Sequence, residues 1–310
     1  MRMSPYTSLS LVAALLVPGA ALADGSRIEL RNMAARVVVV TQSRDDVDVR
    51  VKAGDKSMPQ ITLNRSGGKV VVSGNLTGRQ QSCGGASGLF TFNFNDRGVT
   101  TVRVAGRGDL SLNDLPVVYI YAPQNLELIS QGAVYGSLTE ANQLRLSVHG
   151  CGDWKLGPVR GDLMIQSTGS GDINAASAAD TELISAGSGD IRIGAVRKLK
   201  VSQSGSGDIG IGTVGTALSA ATAGSGDINI GQINGPTEIS VSGSGDVNLS
   251  KGRISRLKIA IAGSGDVHFG GEAEMVDAAI VGSGDISVAR ASGTVQKKVF
   301  GSGDISIGRQ

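Results

Sequence analysis

The chain has 310 residues with 29 basic and 27 acidic side chains, so it gives no electrostatic footing to a nucleic-acid or anionic-membrane partner. Glycine is abundant at 46 residues, while aromatics make up 3% and histidines number 2. That composition leaves no material for a zinc-ligand cluster, and it suits repeated tight turns around a slim core of small and β-branched residues.

The first 23 residues read as a secretory signal peptide. Arg2 supplies the positive start, an apolar run extends to Val17, and Ala21-Leu22-Ala23 forms a small-x-small cleavage site before Asp24. No cysteine follows that site, which argues against lipid attachment there. No later segment looks transmembrane. The mature chain is expected in the periplasm, or secreted to the cell surface.

Residues 24–98 are expected to form a β cap or a set of divergent coils. Arg27-Ile28-Glu29-Leu30, residues 35–40 and Asp46-Val47-Asp48-Val49-Arg50-Val51 carry the period-two alternation of strands, as do Gln60-Ile61-Thr62-Leu63 and Lys69-Val70-Val71-Val72. A Gly/Ser/Gln-rich loop carries Cys83. Residues 89–94 then place three of the five Phe on one face of a strand, read as a core face near the cap, with an exposed binding strip as the alternative.

From residue 99 to 310 the sequence predicts one regular parallel β-helix. Gly106-Arg107-Gly108-Asp109-Leu110 is read as its first corner, and Gln131-Gly132-Ala133-Val134 as a decayed one. His149-Gly150-Cys151-Gly152-Asp153-Trp154 restores the corner with Cys in the Ser slot and Trp in the Ile slot. From Gly169 onward the corner is Gly-Ser-Gly-Asp. The tetrad ends at Asp172, Asp190, Asp208, Asp227, Asp246, Asp266, Asp285 and Asp304, at intervals of 18, 18, 19, 19, 20, 19 and 19 residues. A period near 19 is too short for two packed helices and fits one coil of short strands and turns. Alternations such as Ile191-Arg192-Ile193 and Leu199-Lys200-Val201 lie between the tetrads. Stacked coils set like residues about 4.8 Å apart, and only the stack buries the apolar side. Glycine is expected to supply the backbone conformations of the corners. Lys297, Lys298 and Phe300 are read as closing the C-terminal end, where end-to-end self-association is a further candidate contact.

Together, the signal peptide, the early Asp-Val-Asp-Val-Arg-Val segment and the returning Gly-Ser-Gly-Asp-Ile resemble the auto-transporter adhesin head GIN domain family, whose function is unknown. The resemblance covers roughly residues 30–310. It implies an all-β, right-handed parallel β-solenoid in a bacterial envelope or secreted protein, and it carries over no catalytic or binding residue. The general preference for right-handed parallel crossovers agrees.

The candidate site is the stack of corner carboxylates: Asp153, Asp172, Asp190, Asp208, Asp227, Asp246, Asp266, Asp285 and Asp304. Carboxylates in register repel unless something compensates. Glycine and serine N–H groups at the corner are the expected donors. Bridging serine hydroxyls and a hard cation between coils are the alternatives. The reading assigns no metal and no cofactor. Cys83 and Cys151, the only two cysteines, are compatible with one disulfide in an oxidising compartment.

Coils of nearly constant length leave no long loops to build a catalytic cleft, and a uniform ladder gives no pair of carboxylates a distinct role. His149 and His268 lie far apart in the repeat order. The chain therefore reads as a non-enzymatic structural or binding solenoid, adhesion-like in character. A glycan, an envelope polymer or a protein is its candidate partner. The alternative is a carbohydrate-active enzyme on the same scaffold. A cleft lined by unlike polar groups would distinguish it.

Overall fold

The computed structural model describes residues 26–55, 58–76, 81–84, 101–104 and 108–309. The signal peptide and the Phe-rich strip at 89–94 lie outside the described residues.

Period-two alternation becomes a right-handed parallel solenoid because each coil lays its strands in register on the coil before. The residue after each corner Asp points inward. Trp154 pairs with Ile173, which pairs with Ile191, and the column continues through Ile209, Ile228, Val247, Val267, Ile286 and Ile305. All of these side chains are buried. A second inward column on another wall runs through Ile165, Leu183, Val201, Ala220, Ile239, Ile259 and Ala278. At about 25 cal/mol per Å² of apolar surface, these columns carry the fold, and no single coil completes one. Trp154 fits its slot because its partner in the neighbouring coil is Gly136. A β-carbon there would strike the indole ring.

Chain order and spatial order part company at the N-terminal end. The first strand, Ser26–Gln42, lies inside the stack. It pairs in parallel with Asn125–Leu138 on one side, and with Lys69–Ser73 and Val117–Pro123 on the other. Beyond those two strands the pattern turns antiparallel. Thr62–Ser66 pairs with Lys69–Ser73, and Asp48–Lys52 pairs with Val117–Pro123. These reversed strands cover the edge that another parallel coil would otherwise take. They carry exposed ion pairs, Arg50 with Asp48 at 3.0 Å and, just ahead of the strand, Arg44 with Asp46 at 2.9 Å. A charged, reversed edge is a poor template for further strand addition.

The expected boundary at residue 99 requires correction. Thr101–Val104 and Gly108–Ser111 do not join the parallel stack; with Gln81–Gly84 they form a three-stranded antiparallel sheet. Its Val102 and Val104 pack with Ala34, Ala133, Tyr135 and Leu115 in a small core of their own against the side of the solenoid. Gly108 and Asp109 thus form no corner of the stack. Asp109 pairs with Arg103 across the hairpin through two bonds of 2.8 and 3.1 Å.

At the other end, Lys297 stands in the inward column, next to Ala278. Its ammonium group donates to the carbonyl of Ile305 at 2.6 Å. The stem lies over the last apolar layer while the charge finds a backbone acceptor. Val281 and Phe300 pair beside it on the outer face, 54% and 70% exposed.

Candidate functional site

The corner tetrad builds two glycine columns and one aspartate column. A β-carbon on the first glycine of a tetrad would strike the carbonyl oxygen of the first glycine one coil earlier, as at Gly187 on Gly169 and Gly205 on Gly187. The second glycines behave alike, with Gly207 over Gly189 and Gly226 over Gly207. Among the tetrad glycines only Gly282 and Gly301 have positive φ. The tetrad demands glycine chiefly because stacked backbones approach closely, a reason beyond the corner conformations expected from the sequence.

The aspartates form a continuous chain of hydrogen bonds. The backbone N–H of Asp172 donates to Oδ1 of Asp153 at 2.9 Å, and that of Asp190 to Oδ1 of Asp172 at 2.9 Å. Asp208, Asp227, Asp246, Asp266, Asp285 and Asp304 repeat the bond at 2.8–2.9 Å, each to the aspartate one coil earlier. The donor is therefore the next aspartate's own amide, not the glycine or serine amides expected. Serine amides bond instead to first-glycine carbonyls, as Ser188 does to Gly169 at 3.0 Å. Meanwhile the backbone carbonyl of each aspartate accepts from the residue after the previous one, as Asp208 does from Ile191 at 2.9 Å. The carboxylate thus continues the parallel hydrogen-bond ladder around a corner where backbone carbonyls point elsewhere.

One cation reinforces the early ladder. Arg192 reaches Oδ2 of Asp190 at 2.8 Å and Oδ2 of Asp172 at 3.9 Å. Among the described residues no ion pair involves Asp208, Asp227, Asp246, Asp266, Asp285 or Asp304.

The ladder begins irregularly. The pairing of Cys151 with Ala133 and of Trp154 with Gly136 places Tyr135 in the aspartate slot below Asp153. Tyr135 is buried, and both desolvation and the nearby Asp153 carboxylate push its phenol upward in pKa. Asp153 itself is raised. Burial is the main cause and outweighs the lowering by the Asp172 amide, while the Asp172 charge adds to the rise. Asp153 stacks on the buried Tyr135, at the start of the ladder.

A cluster the sequence reading passed over lies near the N-terminal end. Glu29 is 3% exposed and faces three cations: Lys69 at 2.6 Å, Arg27 at 3.0 Å, and Arg31 on its other oxygen. Burial alone would raise its pKa, but the bonds from Lys69, Arg27 and Arg31 together bring it below the usual value. The signal was present in part: Arg27, Glu29 and Arg31 alternate onto one strand face. Lys69 comes from 38 residues on, the difference between 69 and 31, and only the pairing register brings it there.

A shallow open groove of about 730 Å³ follows the outside of the corners. Ser170, Ser188, Ser206 and Ser225 line it, with His149 and Thr168 at one end. His149 Nδ1 and Thr168 Oγ1 lie 2.9 Å apart. His268 stands elsewhere, between Asn248 and Ser287 in an exposed column. A second shallow groove of about 600 Å³ runs past Ala176, Gly194, Gly212 and Gly231. Among the described residues no group of three or more His, Cys, Asp or Glu side chains could hold a metal ion, and no helix is long and apolar enough to cross a membrane. Neither groove gathers unlike acid, base and nucleophile around one point.

The Cys83–Cys151 pairing falls on a side chain outside the described residues. The backbone neighbourhoods are near one another: Cys83 pairs with Val102, and Val102 shares its small core with Cys151.

A family model described as "Putative auto-transporter adhesin, head GIN domain" matches residues 26–214 and 211–309. No curated protein sequence matches the chain. Among solved structures, the chain is similar to one described as a putative adhesin from Bacteroides fragilis, at 15% identity, covering 92% of each chain with a TM-score of 0.32. It is also similar to one described as a putative lipid binding protein from Parabacteroides distasonis, at 16% identity, covering 93% of this chain and 94% of the other with a TM-score of 0.35.

Proposed function

The chain belongs to the auto-transporter adhesin head GIN domain family, and we propose that it is an exported, non-catalytic solenoid that binds an extended partner along its corner groove. Family membership agrees with a periplasmic or cell-surface location. The observation that carries the proposal is the uniformity of the groove. Ser170, Ser188, Ser206 and Ser225 present the same hydroxyl at every coil, about 4.8 Å apart, with no unlike catalytic groups among them. A repeating surface fits a repeating ligand, a glycan or envelope polymer before a compact small molecule. The near absence of aromatic residues in the regular coils points to recognition by hydrogen bonds and not by ring stacking. Fixed backbone and one-carbon hydroxyl side chains lose little entropy on binding.

The test is binding of the exported chain to envelope polysaccharides from its own source, compared with a variant carrying Ser188→Gln and Ser206→Gln. Both serines are exposed, so the longer amides fill the groove and spare the core. Binding that falls at least tenfold in the variant supports the proposal. Binding that is unchanged places the contact elsewhere, and release of shortened polymer would establish an enzyme instead.

A further inference from the structure

Beneath the corners, the core wall changes character along the stack. The inward residue just before each corner forms one column: Val148, Ser167, Ser185, Gln203, Thr222, Val241, Ile261 and Ile280. Ser167, Ser185, Gln203 and Thr222 are all buried to within 2% exposure. The hydroxyl oxygens of Ser167 and Ser185, Oε1 of Gln203 and Oγ1 of Thr222 have no protein partner. A buried polar atom left unbonded costs about 1–3 kcal/mol, and three hydroxyls and an amide oxygen in one column are more than a stable core tolerates without cause.

Gln203 shows what the seat beneath a corner demands. Its side-chain N–H donates to the carbonyl of Gly207, the second glycine of its own tetrad four residues on. The same nitrogen lies 2.6 Å from where a β-carbon on Gly226 would stand. Further along, a methyl group takes the corresponding place. Cγ1 of Val241 lies 3.1 Å from the β-carbon position of Gly265, and Cγ2 of Ile280 lies 3.2 Å from that of Gly303. Serine brings one γ atom where valine brings two, and it stops short of the glycine carbonyl that Gln203 reaches. Among the described residues no backbone N–H donates to the carbonyls of Gly171 or Gly189, which stand four residues after Ser167 and Ser185.

We propose that a buried water molecule sits under the corner in each of the Ser167 and Ser185 coils, bridging the hydroxyl to the carbonyl of Gly171 or Gly189. The amide nitrogen of Gln203 occupies the equivalent seat in the next coil and does by covalent chain what the waters do there. Oε1 of Gln203 offers the Ser185 water a third partner, which meets the two to four bonds that hold a buried water. The site takes water because its lining is polar, narrow and neutral. An apolar guest would leave the hydroxyls unbonded.

The experiment is a crystal structure of the full exported chain at a resolution that shows ordered water, alone and with Ser185→Gln. The expected result is a density peak at hydrogen-bonding distance, about 2.7–3.2 Å, from both Ser185 Oγ and the Gly189 carbonyl, with a second peak at Ser167 and Gly171. In the variant the first peak is replaced by the glutamine amide and the second remains. Dry seams in the unaltered chain, with both hydroxyls turned onto backbone carbonyls, would overturn the proposal without any need for the variant.

Discussion

The backbone N–H of Asp227 donates to Oδ1 of Asp208 across 2.9 Å, so the side chain of one coil bonds the main chain of the next. It follows that the acceptor oxygen matters more than the charge. Asp227→Asn keeps an oxygen at that place and should change stability little. Asp227→Ala leaves the Asp246 amide without its acceptor and should cost about 1 kcal/mol, the low end for a partly exposed donor. Denaturant unfolding of both variants checks this. Equal losses in the two would show that the oxygen is not the operative feature.

Asp153 behaves in the opposite sense to a stabilising carboxylate. Its folded-state pKa is raised, first by burial, so the native state binds a proton more tightly than the unfolded chain does. Ionisation at neutral pH therefore costs stability, and that cost disappears as pH falls through the folded value toward the unfolded one. Asp153→Asn keeps the acceptor for Asp172 and should raise the melting temperature at pH 7. The gain should vanish below about pH 4, near the unfolded value. A gain that persists unchanged at pH 3 would assign the effect to something other than the charge.

Glu29 has the reverse sign. Burial opposes its charge, but bonds from Lys69, Arg27 and Arg31 lower its pKa overall, so its contribution is present above the unfolded value and is lost as pH falls through the folded one. Glu29→Gln should destabilise the chain at neutral pH by about 1–2 kcal/mol, since it removes the buried anion that three partly exposed cations share. The deficit relative to the unaltered chain should shrink on acidification. Thermal scans at pH 7 and pH 3 read it directly, and a deficit of equal size at both would contradict the charge account.

The repeats were legible because two physical demands coincide in the sequence. The alternation fixes which side is buried, and the tetrad glycines mark where coil backbones touch. Asp109 follows a glycine as the corner aspartates do, yet Gly108–Ser111 pairs antiparallel with Thr101–Val104. Nothing local in the chain distinguishes a stacked corner from a hairpin end. The seat of Ser26–Gln42 inside the stack was equally hidden, because its partners on one side lie about 100 residues away, as Tyr135 does from Arg36, and alternation is silent on which strands meet. Of the candidate site, the ladder's membership was readable from spacing alone. Its donor was not, since the direction of an amide depends on the turn. The water seats also escaped notice, because Ser167 and Ser185 look like ordinary small residues before a turn.

We predict a disulfide between Cys83 and Cys151, which would tie the small antiparallel sheet to the solenoid. Intact-mass measurement of unreduced exported chain should show two fewer hydrogens than the reduced form. The bridge would close a loop of about 68 residues, worth about 4 kcal/mol by the loop-entropy relation. Two free thiols in freshly exported material would refute it.

The central claim is that the aspartate ladder is architectural, held by backbone amides and independent of any cation. Thermal unfolding of the exported chain at neutral pH, once in chelator and once in millimolar Ca²⁺, tests it most directly. A ligand that binds only the folded state must raise its stability by RT ln(1 + [L]/Kd). The account predicts superimposable unfolding curves. A large, saturable upward shift in Ca²⁺, lost when Asp208, Asp227 and Asp246 are changed to Asn, would contradict it and make the ladder a cation site.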